Sequence, residues 1–404
     1  VAPSRDGTLH FYGHTIEGRI ALPVAMGNPH LAGKPGVSRF VAAGTGLVLV
    51  FDLADVLPKR IPKTGEVDAQ FVDDDTLLMW PDAVTDYFFY DLATGKRTPV
   101  KHAGLPMSRV LAGDAKTGRI YLAEPHGRDQ VQLVGFTKGQ AEAKIFGVAS
   151  RLIARATANG VLVARDNDPR VLLSPHDGPF IELAKVDGGV QSIMTLGRDR
   201  FAALSRTGEL VRGSFAGGPL ERIHVDVDAN AFLGVDNHDH AIVAVGTHLM
   251  LWDQTLLPLV ELPRAADSLY AVPGGLVVVL DNNAAVYVAL GSGKPVLHEL
   301  VSASQSMPIV GAEGAWLATL GNGGQLAIIE LPSLARWTLP AELSGSTNWL
   351  IAAPTKRRVI QGQGAGFALF ELPEAKGDLG TWLDDRTNAY ENPDGFVSWP
   401  WLRP

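Results

Sequence analysis

The sequence predicts an all-β chain, and three observations carry that expectation. Apolar runs of strand length recur along nearly all of its 404 residues with a period of about forty. The breaks between them, such as "GTG" (44–46), "RTG" (206–208), "DNN" (281–283) and "NGG" (322–324), are too short for crossover helices, so consecutive strands must pair as antiparallel hairpins. Several runs, "GLVVVL" and "GVLVA" among them, are apolar without alternation, as happens when both faces of a sheet are buried. Four-stranded antiparallel sheets covered on both faces by their own neighbours stack radially into one closed ring, a β-propeller.

The elements follow in chain order. "GTLHFYGHTIEGRIALP" (7–23) reads as a hairpin able to supply an outer strand that helps close the ring. Third-strand phrases then end in an acid at Asp52, Asp91, Asp253, Glu330 and Glu371, separated by 39, 162, 77 and 41 residues, near multiples of forty. The intervening slots are filled by "VQLVGF" (131–136), "RVLLSP" (170–175), "ELVRGS" (209–214) and "AVYVAL" (285–290). Around each lie two preceding apolar runs and one following run, which makes four strands per unit. The count is nine blades; eight is the alternative if a terminal hairpin lies outside the ring. The propeller is expected over 1–376. A tail over 377–404 follows, with a short helix from Asp378 that places Leu379, Trp382 and Leu383 on one face. Three of the eight Trp residues, Trp382, Trp399 and Trp401, lie in that tail as an aromatic anchor, for the propeller's own side or for a partner.

Composition narrows the function classes. With no Cys, disulfides, thiolate catalysis and Cys-ligated zinc are excluded. The net charge of −8 argues against nucleic acid as a partner, and the one compact basic run, Lys356-Arg357-Arg358, reads as a solvated turn. No apolar run approaches the roughly 18 residues of a membrane span, and residues 1–10 lack the charged start and apolar stretch of a leader. A membrane partner is not expected. The cytoplasm is the favoured compartment, with export left open, as is an upstream segment, since the chain begins with Val.

The Trp252-Asp253 pair, its echoes Phe51-Asp52 and Tyr90-Asp91 and the forty-residue period resemble bacterial WD40-like propeller repeat proteins. The tail "LGTWLDDRTNAYENPDG" resembles the segment appended to propellers in bacterial signalling and conflict-system proteins. The resemblance implies a scaffold for protein–protein contacts beside a kinase, protease or GTPase module.

In such a fold the loops between second and third strands share one rim with the connectors between blades. Here those loops carry Asp82, Asp86, His126, Arg128, Asp129, Arg165, Asp166, Asp168, Arg170, Arg206, His248 and Asp281. Mixed charge with Arg and Gly suits a transient protein interface, although Asp, Asn and Gly also serve ordinary turns. "DNHDH" (236–240) holds residue types apt for a metal but falls on a turn between first and second strands. "RDNDPR" (165–170) lacks the Gly and bidentate Glu of a calcium loop. "DLATGK" (91–96) matches one copy of the blade motif of quinone-dependent propeller dehydrogenases, which repeat it in most blades. No Ser-His-Asp order, carboxylate pair or phosphate loop stands out. The expectation is therefore a non-catalytic interaction scaffold with no cofactor and no metal. The alternative is a propeller enzyme or small-molecule binder using the central funnel.

Overall fold

The computed structural model describes residues 59–372 apart from 63–65, 82–85, 104–108, 127, 150, 166–167, 176–178, 227–230, 237, 292–293, 303–307, 312–313, 321–325, 335, 339–340, 343–346 and 364–365, together with strands between residues 2 and 52 and at 390–391 and 397–398. Eight four-stranded antiparallel sheets follow one another as blades, each running from an innermost to an outermost strand. Blade 1 comprises Glu66–Asp73, Thr76–Pro81, Asp86–Asp91 and Arg97–Ala103. The innermost strands of blades 2 to 7 begin at Arg109, Leu152, Val190, Phe232, Ala266 and Ile309. Blade 8 comprises Thr347–Ala352, Arg358–Gln363 and Gly366–Glu371, and Lys59–Pro62 pairs with Gly366–Glu371 as its fourth strand. The innermost strands of blades 8 and 1 touch, so the wheel closes.

The expectation of nine blades is thus corrected to eight. The phrase "LVLVFD" at Leu47–Asp52 does form a strand, but it sits in a three-stranded sheet with His30–Gly33 and Arg39–Gly44 that is not one of the eight blades. Ring closure is supplied by Lys59–Pro62. The hairpin of Thr8–Tyr12 and Glu17–Ala21 pairs instead with Ala2–Pro3 and Ala341–Glu342 in a separate sheet. The expected tail helix and Trp382, Trp399 and Trp401 lie outside the described residues; in the described part of the tail Tyr390–Glu391 pairs with Val397–Ser398.

Burial explains the apolar phrases. Every residue of Gly275–Leu280 and of Trp316–Leu320 is buried, whereas no residue of the outermost strands Glu221–His224 and Leu256–Glu261 is. The inner strands have a sheet against each face, and the outer ones face water. Among the described residues seven apolar clusters lie in the wheel, and each draws on two adjacent blades. Leu162 and Val171 of blade 3 pack with Phe201 and Val211 of blade 4; Leu249 of blade 5 packs with Leu276 and Val278 of blade 6. At the closure, Ile360 and Phe367 of blade 8 pack with Phe71 and Met79 of blade 1. No blade holds a core of its own, so the hydrophobic stabilisation of about 25 cal/mol per Å² of apolar area accrues only between neighbours. Trp252, the aromatic of the one Trp-Asp pair, is 1% exposed in the cluster between blades 4 and 5. Arg212 of blade 4 lies over its ring, 4.8 Å from the centroid, and donates to its backbone carbonyl at 3.1 Å.

Candidate interaction rim

Hairpin pairing sends each blade's second-to-third-strand turn to the same end as the connector to the next blade. The described rim residues occupy those turns in five successive blades after the first, from His126 in blade 2 to Asp281 in blade 6. Asp86 opens the third strand of blade 1, and Asp82 and Asp166 lie outside the described residues.

The rim side chains differ in exposure and in the contacts that hold them. Some are already engaged. Arg170 grips Asp168 through two bonds of 2.8 Å. That contact holds the Asp168 carboxyl below its ordinary value and raises the guanidinium. Asp281 accepts from Arg264, on the connector between blades 5 and 6, at 2.6 Å, which lowers its carboxyl in the same way. Arg165 is half-buried, its guanidinium 4.9 Å from the Phe180 ring centroid. His126, Arg128, Asp129, Arg206 and His248 are exposed. Arg206 stands on a braced turn. Its backbone N–H donates to Gly189 at 3.0 Å, and the Thr207 hydroxyl donates to the Asp187 carbonyl at 3.0 Å. Glu209 accepts from the Asp187 N–H at 2.7 Å and from Arg222.

Beside His248 the rim opens into a groove of about 630 Å³ between the outer parts of blades 4 and 5. Leu249, Met250, Leu256, Pro258 and Val260 line it, and His224, Asp226 and Glu261 add polar groups. A second cavity of about 390 Å³ lies among the innermost strands. Met194, Val235, Leu269, Tyr270 and Val310 contribute to its lining, which among the described residues includes neither a carboxylate nor an imidazole. Elsewhere on the innermost strands, Asp68 is raised to about 6 by burial, against the pull of the Ala69 N–H. Burial likewise lowers Arg155.

Two polar clusters escaped sequence reasoning, and a third forms where the sequence placed residue types apt for a metal. Between blades 1 and 2, the fully buried Glu124 accepts from Tyr87 at 2.6 Å and from Gln132 at 2.9 Å, and meets His102 Nε2 at 2.8 Å. A Glu closing the apolar "RIYLAE" was the available signal. At the opposite end from the rim, the basic run is no solvated turn. Lys356 and Arg358 of blade 8 bind Asp75 of blade 1, Thr355 binds Asp74, and Arg357 binds Glu330 of blade 7. The matching run Asp73-Asp74-Asp75 was its signal. At that end too, "DNHDH" gathers Asp236, His238 and His240, with the two rings stacked 5.9 Å apart.

No family model matches the chain, and no curated protein matches it. Solved structures do. The C-terminal WD40 domain of Sif2 is similar at 11% identity with a TM-score of 0.55, over 79% of this chain and 99% of that one. BamB from Moraxella catarrhalis is similar at 12% identity with a TM-score of 0.51, over 80% and 99%. Both are β-propellers, and at such identities the likeness is one of fold.

Proposed function

We propose that this chain is a non-catalytic scaffold that docks another protein on the rim made by the second-to-third-strand turns and the blade connectors. The observation that carries the reading is the groove beside His248. Its apolar lining is flanked by His224, Asp226, His248 and Glu261, the arrangement of an interface with an apolar centre and a polar margin. Arg128, Asp129 and Arg206 extend the polar margin around neighbouring blades. The sequence resemblance adds a context: a bacterial signalling or conflict-defence assembly, with a kinase, protease or GTPase module as the partner and Trp382, Trp399 and Trp401 as a further anchor.

The test is affinity capture from the native host with three forms of the protein. The wild type retains a stoichiometric protein. Arg128→Glu combined with Arg206→Glu and Met250→Glu loses it. Lys116→Glu, on an exposed turn at the opposite end, keeps it. Absence of any stoichiometric protein, or equal loss in the Lys116 variant, counts against the rim.

A further inference from the structure

The turn between the first and second strands of blade 5, far from the proposed docking rim, brings three metal-ligating atoms together within five residues. Asp236 is 6% exposed and is held at one oxygen. Its Oδ1 accepts the backbone N–H of His238 at 2.8 Å and that of His240 at 2.9 Å. The other oxygen is thereby aimed at the imidazoles: Oδ2 lies 3.0 Å from His240 Nδ1 and 4.0 Å from His238 Nδ1, and all three ligand atoms fall within 4.8 Å of one another. Asp239 adopts the left-handed region, with φ at 64°, and this lets the chain fold both histidines back over the carboxylate. The turn is also seated, because the Asp239 carboxylate packs against Gly197 in the corresponding turn of blade 4.

We infer that Asp236, His238 and His240 form a binding site for a late first-row divalent cation such as Zn2+, with Oδ2 and the two Nδ1 atoms as ligands and water in the remaining positions. Bonds of about 2.0–2.2 Å place neighbouring ligand atoms roughly 3.0–3.6 Å apart. The Asp236–His240 spacing already meets that requirement. The His238 Nδ1 is the atom that must move, and its side chain is 71% exposed. Two imidazole nitrogens and one carboxylate oxygen favour zinc, nickel or copper over calcium or magnesium, which take oxygen-rich shells. In the free protein His240 Nδ1 is hydrogen-bonded to Oδ2; on binding, the imidazole presents its Nδ1 lone pair and carries its proton on the solvent-facing Nε2. The coordination positions left open face solvent, so a ligand from another molecule can enter there.

Tag-free full-length protein, stripped with chelator and titrated calorimetrically with Zn2+ alone, should take up one equivalent. His238→Ala combined with His240→Ala should abolish that uptake while leaving the thermal melt in place, since both side chains are exposed. Absence of saturable binding by the wild type, or unchanged binding by the double variant, overturns the site. If the double variant fails to fold, X-ray absorption of the wild-type zinc complex decides. A first shell with two imidazoles supports the assignment, and a shell of oxygens alone overturns it.

Discussion

Lys356 and Asp75 are 281 positions apart in the chain, yet the Lys356 Nζ lies 2.6 and 2.8 Å from the two oxygens of the Asp75 carboxylate. This pair and the Arg358–Asp75 pair join the last blade to the first. Asp74 adds its bonds from the Thr355 and Lys356 N–H groups at 2.8 and 2.9 Å. The clasp stands over the cluster in which Phe367 and Ile360 meet Phe71 and Met79, so charge and apolar packing close the wheel at the same seam.

Removing Arg358 should open that seam more than removing Lys356. Arg358 is 17% exposed and binds Asp75, the Asp74 carbonyl and Glu371, whereas Lys356 is 47% exposed. Arg358→Ala is expected to cost about 1.5–3 kcal/mol, because it removes a mostly buried guanidinium together with its hydrogen bonds to charged and carbonyl acceptors. Lys356→Ala should cost no more than about 1 kcal/mol. Urea unfolding monitored by circular dichroism measures both.

The clasp should also weaken in acid. The hydrogen bond and charge of Lys356, helped by Arg358 and opposed by burial, lower the Asp75 carboxyl from its ordinary 3.8. Asp74 is lowered too, burial being outweighed by its bonds to Thr355 and Lys356. A lowered carboxyl contributes stability above the ordinary value and loses it as pH falls through the folded one. Melting temperature should therefore drop below about pH 4, and the drop should be smaller in Asp75→Asn than in the wild type.

Asp68 acts in the opposite sense. Its value of about 6 exceeds the ordinary 3.8, so between those two pH values the folded chain binds more protons than the unfolded one. Stability then falls as pH rises through that window, by about 2–3 kcal/mol. Asp68→Asn should be more stable than the wild type at pH 8 and should lose the advantage near pH 4. Thermal melts at the two pH values make the comparison.

The buried carboxyl of Glu124 should be sensitive to each donor around it. Tyr87→Phe removes one hydrogen bond inside the blade 1–2 interface and is expected to cost about 1.5–3 kcal/mol. Glu124→Ala leaves Tyr87, His102 and Gln132 without their shared acceptor and should cost about 3–5 kcal/mol. A double-mutant cycle on the two should show coupling well above additivity.

Much of this architecture could be read from the residues, and its failures have physical causes. "GLVVVL" announced two-faced burial, and all six of its positions are buried. "LVLVFD" carries the same pattern, but a pattern specifies a strand and its hairpin, not which sheet stands beside it, so the count ran one blade high. The true closing strand, Lys59–Pro62, is short and half charged, and its place follows only from the open edge of blade 8. The rim turns were legible because Asp, Gly and Arg cluster at hairpin ends. Which of their side chains are engaged was not legible, because Arg264 and Phe180, which engage Asp281 and Arg165, approach from other segments of the chain.

The interdependence of the blades is tested most directly by cutting one out. A peptide of residues 266–301 contains all four strands of blade 6, including the fully buried Gly275–Leu280, yet its apolar faces belong to clusters shared with blades 5 and 7. Blades that share their cores predict an amide proton spectrum with the narrow dispersion of an unfolded chain and no cooperative melt. Wide dispersion together with a cooperative thermal transition in the soluble, monomeric peptide would contradict it.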